Sequence, residues 1–201
     1  MAFADIRPEI PRTFFHILGG LFLAWVGFFI DPPMNHILLG GIFAAALLME
    51  TARLNMPRVG AAAKVLIGPF MRPHEEEGLT GALPFTGGVF LAFLLFKPAV
   101  ALAAMVPLVF GDRAGLLVGK SVGKISYIGK TLEGSLACFT VGFLVYLALA
   151  GMWPEVFGYS WSVLFFAALI GALAEALPRP FDDNLTIPLA VGMFLTVVTW
   201  N

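Results

Sequence analysis

Carboxylate side chains stand beside apolar runs at several distant points of this sequence. Asp112 follows one such run, Glu133 precedes another, and Asp182 and Asp183 precede the last. Carboxylate oxygens are ligands of Mg²⁺, which usually takes one or two of them together with oxygens of its substrate. Helices ending at these residues could bring them together only by packing as a bundle. The sequence therefore predicts a magnesium site assembled from distant segments.

Glu175 differs from these residues because small apolar residues surround it on both sides. An ionisable side chain inside a membrane segment is costly unless it is paired or hydrated. We therefore expect Glu175 to belong to a functional site.

Glycine and lysine are concentrated between residues 111 and 135, where Lys120, Lys124 and Lys130 occur. Glycines allow a backbone to approach phosphates closely, and lysines neutralise phosphate charge. A Walker A loop is excluded, because that motif needs four residues between its glycines and only three separate Gly115 from Gly119. The stretch predicts a phosphate-binding site of another kind.

The composition places these residues in a membrane protein. Of 201 residues, 59% are apolar and 12% are charged, and the mean hydropathy is +0.91. Soluble domains carry about 25% charged residues, so a soluble enzyme is excluded. The net charge of −1 argues against a nucleic-acid partner. Cys138 is the single cysteine, which excludes a disulfide framework and a cysteine metal site.

The apolar runs predict an all-α bundle of about seven transmembrane helices, because a span needs about 17–25 residues. The chain, residues 1–201, is then a single membrane-embedded domain. A shorter apolar segment, 59–70, predicts one interfacial or re-entrant helix. The run 99–110 reaches span length only by including part of 111–119. The predicted spans are 13–30, 34–49, 78–96, 99–110, 134–154, 156–174 and 185–200.

The charges between the spans predict the orientation. With the N-terminus in the cytoplasm, every lysine and arginine except Lys97 falls on the cytoplasmic side. The acidic residues concentrate there too. We expect a protein of the cell inner membrane whose active site faces the cytoplasm.

Several short motifs in this order resemble the dolichol kinase family. The first combines Gly111-Asp112 with K-T-L-E-G-S at 130–135, and the second places Glu175 before D-N-L-T-I-P at 183–188. Glu9, Arg12 and His16 are similar to the family's approach to its first span, although Thr13 stands where a lysine is usual. The pairs Glu50 with Arg53 and Arg72 with Glu75 also fit.

The resemblance implies an integral membrane kinase that uses CTP and Mg²⁺ to phosphorylate a lipid alcohol. This family includes polyprenol, phytol and CTP-dependent diacylglycerol kinases, and the oligomeric state stays open. The implied catalytic residues are Asp112, Asp183, Glu175 and Glu133, of which Asp112, Asp183 and Glu133 would hold the metal. Either Asp183 or Glu175 would accept the hydroxyl proton. The implied nucleotide-binding residues are Lys120, Lys124, Lys130, Thr131, Gly119, Ser135 and Arg72. Further candidates are His16, Arg12, Glu50, Arg53, Glu75 and Asn184.

Other interpretations compete with this one. A cytidylyltransferase like CDP-diacylglycerol synthase also uses CTP, but the ending typical of that family is missing. A small transporter would need polar residues within its spans, and these are nearly all apolar. Glu50 and Arg53 could form a structural ion pair, and the segment 74–77 is predicted to be a solvated loop.

Overall fold

The computed structural model describes residues 6–68, 71–72, 75–127, 129–177 and 182–200. These residues form helices and one two-stranded hairpin. The helices are α1 Glu9–Phe29, α2 Met34–Asn55, α3 Pro57–Ile67, α4 Ala82–Leu95, α5 Pro98–Val106, α6 Asp112–Val122, α7 Leu132–Met152, α8 Pro154–Phe157, α9 Trp161–Glu175 and α10 Asp183–Val198. A π-helical turn, Pro107–Gly111, joins α5 to α6, and the hairpin consists of β1 Ser126–Tyr127 and β2 Lys130–Thr131.

Four helices within the described ranges are long and apolar enough to cross a membrane: Glu9–Phe29, Met34–Asn55, Pro98–Val122 and Leu132–Met152. The shorter apolar helices α4, α9 and α10 coincide with the three remaining predicted spans and have 14, 15 and 16 residues. The predicted short helix at 59–70 is present as α3 up to Ile67. Its membrane position stays a prediction, and residues 69–70 lie outside the described ranges.

The helix that contains 99–110 continues past Phe110, so the fourth predicted span reaches span length by including residues 111–119, as the sequence required. The run α5–π turn–α6 continues without a break for 25 residues. Glycines allow this helix to pack closely on α7: a Cβ at Gly111 would lie 2.9 Å from Cys138 O, and one at Gly115 would lie 3.1 Å from Gly134 O. Small residues promote such close helix packing in membranes. Asp112 is consequently held inside the bundle.

The helix α5 lies at the centre of the bundle. Ala101, Ala103 and Ala104 are fully buried, and α5 packs against the neighbouring helices α1, α4, α7, α8 and α10. In contrast, α1 exposes Phe14, Phe22 and Trp25 on its outer face. An apolar outer surface suits a helix bundle whose backbone polar groups are satisfied internally, as a bilayer requires.

The hairpin delivers Lys130 and Thr131 to the start of α7. Tyr127 pairs with Lys130 across the two strands, and Gly129 in the turn has a φ of 81°, which favours glycine. The Thr131 side chain then accepts a hydrogen bond from Gly134 N at 3.2 Å and caps α7. The position of Lys130 is therefore fixed by a turn and a helix cap.

Candidate active site

Three carboxylates from three helices meet at one point of the bundle. Asp112 begins α6, Glu175 ends α9 and Asp183 begins α10. Each residue offers an oxygen within 4.8 Å of those of the other two. Asp112 is 2% exposed and Glu175 is 4% exposed. Buried anionic oxygens at this spacing repel one another unless a cation lies near them, so the donor set fits a divalent cation such as Mg²⁺.

Lys130 supplies a cation to this cluster. Its Nζ atom lies 2.5 Å from Glu175 Oε1 and 3.0 Å from Asp183 Oδ2. Burial lowers the pKa of the Lys130 ammonium, but the charges of Asp183 and Glu175 outweigh burial and raise that pKa above its ordinary value. Lys130 is therefore a permanent positive charge at the edge of the cluster.

Hydroxyl groups complete the surroundings of Glu175. Ser135 Oγ donates to Glu175 Oε2 at 3.1 Å, and Tyr127 is hydrogen-bonded to Ser135 in turn. Both oxygens of Glu175 thus have partners, one ammonium and one hydroxyl. Within the described residues the hydrogen bonds of Asp183 engage only Oδ2, so Oδ1 is less constrained.

Arg113 balances the charge of Asp112. Its Nε donates to Asp112 Oδ2 at 2.7 Å, and a second guanidinium nitrogen contacts the same oxygen. Arg113 is 7% exposed. Sequence reasoning did not single out Arg113 for the site. An arginine buried beside a carboxylate in a membrane segment was the signal that could have identified it.

Asp182 fixes the start of α10. Its Oδ1 atom accepts a hydrogen bond from Asn184 N at 3.0 Å, as a helix N-cap does. Burial and the adjacent charge of Asp183 raise the pKa of the Asp182 carboxyl. This cap holds the positions of Asp183 and Asn184.

A cavity of about 940 Å³ opens onto the carboxylate cluster. Such a volume is typical of small-molecule sites. Gly119 and Thr131 contribute to its wall. Its cationic residues are Arg72, Arg113, Lys120 and Lys130, and its anionic residues are Glu75, Asp112, Glu175, Asp182 and Asp183. This mixture suits a ligand that carries phosphates together with a metal ion.

A smaller cavity of about 510 Å³ adjoins the first one. Its wall includes Arg12, His16, Phe15 and Phe85, and His16 Nε2 is hydrogen-bonded to Leu108 O at 3.1 Å. Arg72, Glu75, Gly81, Arg113 and Asn184 belong to the walls of both cavities.

The start of α1 is connected to α6 by an ion pair of Glu9. Lys120 Nζ lies 2.6 Å from Glu9 Oε1, and Arg12 lies 2.9 Å from the same oxygen. Arg12 also donates to Met71 O. Lys120 therefore reaches the large cavity from a helix that is anchored to the N-terminal segment.

Two further networks shape the cavity walls. Glu50 Oε1 lies 2.7 Å from an Arg53 guanidinium nitrogen and accepts a hydrogen bond from Thr80 N at 2.5 Å. Glu75 accepts from Gly81 N at 2.9 Å and from Arg72 N at 2.7 Å. The expected ion pair of Glu50 and Arg53 is confirmed. The solvated-loop prediction for 74–77 is wrong at Glu75, which is 8% exposed, because its carboxylate organises the loop backbone; residue 74 lies outside the described ranges.

Two predicted residues lie outside the carboxylate cluster. Both Glu133 oxygens lie 3.3 Å from Ile125 N, where the connection from α6 to the hairpin passes. Lys124 is exposed and does not contribute to the wall of the large cavity. The other predicted metal ligands, Asp112 and Asp183, do come together, and Glu175 joins them in place of Glu133.

Three relatives of this chain are lipid kinases by name. The chain is 27% identical to CTP-dependent diacylglycerol kinase 1 of Saccharomyces cerevisiae, over 96% of this chain and 74% of that protein. It is 29% identical to CTP-dependent diacylglycerol kinase 1 of Schizosaccharomyces pombe, over 96% of this chain and 94% of that protein. A third relative, dolichol kinase of Saccharomyces cerevisiae, is 29% identical over 61% of this chain and 24% of that protein.

Over almost its whole length the chain is therefore similar to proteins named as CTP-dependent lipid kinases. No protein-family model matches it, and no solved structure matches it. The resemblance found in its motifs is therefore confirmed by whole-length similarity to named kinases.

The motifs that carried this resemblance to the kinases converge in the structure. Lys130, Ser135 and Glu175 come from both signatures and are joined by hydrogen bonds across 40 to 45 residues of sequence. Asp183 is bonded to the same lysine. The kinase motifs therefore describe one site rather than several independent features.

Proposed function

We propose that this protein transfers the γ-phosphoryl group of CTP to the hydroxyl group of a membrane lipid alcohol. The supporting observation is the cluster of Asp112, Glu175 and Asp183 at the cavity of about 940 Å³, in a chain whose relatives are named as CTP-dependent kinases. Diacylglycerol and a polyprenol are the two acceptors to test, since relatives of both kinds match.

The nucleotide phosphates would bind at the cationic side of the large cavity. Lys130 and Lys120 carry ammonium groups there, and the Arg72 guanidinium makes no hydrogen bond or ion pair with the other described residues. Phosphoryl transfer depends mainly on positioning the reactants and stabilising the charge of the transferred group. These three side chains would provide that stabilisation.

Asp112, Glu175 and Asp183 would hold Mg²⁺, with Arg113 and Lys130 limiting the excess negative charge. When bound, the metal neutralises phosphate oxygens and orients the nucleotide. Glu175 would be kept in place by Ser135, and Asp112 by Arg113. We place Glu133 outside this set, because its carboxylate is directed to Ile125 N.

The transfer forms a bond between the lipid oxygen and the γ-phosphorus and breaks the bond from that phosphorus to the β–γ bridging oxygen. CDP leaves, and the hydroxyl proton passes to a carboxylate. We assign that role to Asp183 Oδ1, because both oxygens of Glu175 have hydrogen-bond partners whereas among the described residues only Oδ2 of Asp183 has one. Asp183 is also partly accessible, with 28% of its side chain exposed.

The same proposal includes the seven-span arrangement with a cytoplasmic N-terminus. In a bundle of antiparallel helices, helix starts and helix ends alternate on one face of the membrane. At the site, α1, α7 and α10 begin, and α2 and α9 end. The lysines and arginines near these ends favour the cytoplasmic side of the inner membrane. CTP would then enter from the cytoplasm.

A paired label experiment tests this function. Purified protein receives Mg²⁺ with dioleoylglycerol, a polyprenol and phosphatidic acid, and CTP labelled at the γ or the α phosphate. The kinase proposal predicts lipid label from γ-labelled CTP alone, and the labelled product identifies the acceptor. Lipid label from the α phosphate would instead establish cytidylyl transfer, as in CDP-diacylglycerol synthase, and no label in lipid would reject both activities.

A further inference from the structure

The smaller cavity, of about 510 Å³, lies against the proposed phosphoryl-transfer site but differs from it in chemistry. Phe15, Ile67 and Phe85 contribute apolar surface to its wall, and none of the three carboxylates of the cluster lines it. Phe15 is 59% exposed and Ile67 is 43% exposed, so the apolar side of the cavity reaches the outer surface of the bundle. A lipid could reach such a cavity from the bilayer.

Asn184 belongs to the wall that separates the two cavities. It is 7% exposed, and its Oδ1 atom is buried without a hydrogen-bond partner in the described part of the chain. Leaving a buried amide group without a partner is unfavourable, which points to a ligand that binds this group. Because Asn184 lines both cavities, its side chain lies where the contents of the two cavities would meet.

The position of Asn184 is fixed from two sides. Its backbone N–H donates to the Asp182 cap, and its carbonyl oxygen lies against Gly88 of α4, where an added Cβ would come within 2.1 Å. The side-chain amide is therefore presented by a rigid helix start. A group that must orient a reacting hydroxyl requires such a support.

Within the proposed function, we propose that the smaller cavity binds the hydroxyl end of the lipid acceptor. The Asn184 side-chain amide donates a hydrogen bond from Nδ2 to the lipid hydroxyl oxygen and holds this oxygen toward the nucleotide site, which leaves the hydroxyl proton for Asp183. The acyl or prenyl chain leaves the cavity past Phe15 and Ile67. Arg72 lies in both walls, so it is placed between the acceptor and the phosphates.

Two adjacent residues of α3 provide a matched test of this inference. Ile67 lines the smaller cavity, whereas Leu66, which is 74% exposed, lines neither cavity. Ile67→Trp narrows the cavity, and Leu66→Trp adds the same bulk outside it. Both positions are exposed enough for the variants to fold, which gel filtration in detergent verifies.

The first measurement is photo-crosslinking, which needs no turnover. Dioleoylglycerol and a polyprenol, each carrying a diazirine near the hydroxyl end, are incorporated into vesicles with the protein. We expect one of the two lipids to label peptides containing Phe15 or Ile67, and Ile67→Trp to reduce labelling at least about fivefold while Leu66→Trp leaves it unchanged. Equal labelling in both variants, or labelling confined to other helices, would overturn the inference even if the protein were not a kinase.

The second measurement is kinetic and uses γ-labelled CTP. Ile67→Trp is expected to raise the KM for the acceptor about 10-fold or more, and Asn184→Ala to lower kcat/KM for the acceptor about 10-fold, with the KM for CTP within about twofold in both. A rise in the KM for CTP with an unchanged acceptor KM would overturn the inference and leave the kinase activity established. A wild-type protein that binds the lipid in the crosslinking arm but transfers no γ-phosphate would reject the proposed function and retain the lipid site.

Discussion

Lys130 Nζ lies 2.5 Å from Glu175 Oε1, although 45 residues separate the two in the sequence. Asp183 Oδ2 contacts the same ammonium at 3.0 Å. The lysine thereby joins the hairpin before α7 to the end of α9 and the start of α10. It also offsets the charge of carboxylates that would otherwise repel one another, so the shape and the electrostatics of the site depend on the same side chain.

Replacing Lys130 by methionine should abolish most activity. The substitution removes a positive charge that would bind phosphate. It also leaves the carboxylates of Glu175 and Asp183 close together with no ammonium group between them. We expect kcat for γ-phosphoryl transfer to fall at least about 100-fold, the size found when a donor to transition-state charge is removed. The exposed Lys124 offers a matched control, and Lys124→Met should retain turnover close to wild type.

A double variant separates charge balance from catalysis. Lys130→Met alone leaves the buried Glu175 carboxylate without its counter-charge and should lower the apparent Tm. Adding Glu175→Gln removes that unpaired charge. The apparent Tm in detergent should recover toward wild type while activity stays low. Recovery of both, or of neither, would contradict the two roles assigned to Lys130.

Glu175 and Glu133 give opposite expectations for metal dependence. Glu175 lies in the carboxylate cluster, whereas the Glu133 carboxylate faces Ile125 N. Glu175→Gln should raise the Mg²⁺ concentration for half-maximal activity about 10-fold or more, and Glu133→Gln should change it by less than about twofold. Titration of Mg²⁺ at fixed CTP measures both. The reverse order would assign Glu133 to the metal, as the sequence alone suggested.

The sequence predicts helix positions well because each apolar run must cross the hydrocarbon core of the same bilayer. Charged residues at the ends of 13–30 and 134–154 delimit α1 and α7 within a few residues. It also predicts that Asp112 and Asp183 meet, since both motifs are required for one chemistry. These predictions depend on local composition and on motif order.

Side-chain partners could not be predicted in the same way. Glu133 and Glu175 are both carboxylates at helix ends, and only the packing of α7 against α6 and α9 decides which one faces the cluster. The sequence predicts that Lys120 binds phosphate, but in the structure it also forms an ion pair with Glu9, which lies 111 residues earlier in the sequence. The segment 74–77 lacks the spacing of a metal-binding motif, which predicts a solvated loop, yet backbone N–H groups of Gly81 and Arg72 donate hydrogen bonds to the Glu75 carboxylate. Long-range packing determines all three outcomes.

The buried pair of Glu50 and Arg53 should contribute strongly to stability. Arg53 donates to Glu76 O at 3.1 Å and to Gly78 O at 2.5 Å, and Glu50 accepts from Thr80 N. Glu50→Gln leaves Arg53 without its counter-charge, which should lower the free energy of unfolding by about 3 kcal/mol.

An exposed pair in the same region is the control for this change. Lys64 and Glu76 are 2.7 Å apart, but their side chains are 67% and 49% exposed. Pairs this exposed contribute little, so Lys64→Ala should leave the apparent Tm nearly unchanged. Equal losses in the two variants would mean that burial does not distinguish these pairs.

The proposed seven-span topology can be tested by cysteine labelling. Cys138 is buried, and Cys138→Ala provides a background for single cysteines at exposed positions. Lys64→Cys should react with a membrane-impermeant maleimide only after cells are permeabilised, because it belongs to the positively charged cytoplasmic side. Lys97→Cys and Trp200→Cys should react in intact cells.

Since an odd number of spans places the two ends of the chain on opposite sides, labelling of Trp200→Cys from the same side as Lys64→Cys would exclude seven spans. Labelling of Lys97→Cys only after permeabilisation, with Lys64→Cys reactive in intact cells, would reverse the orientation and move CTP access to the other face.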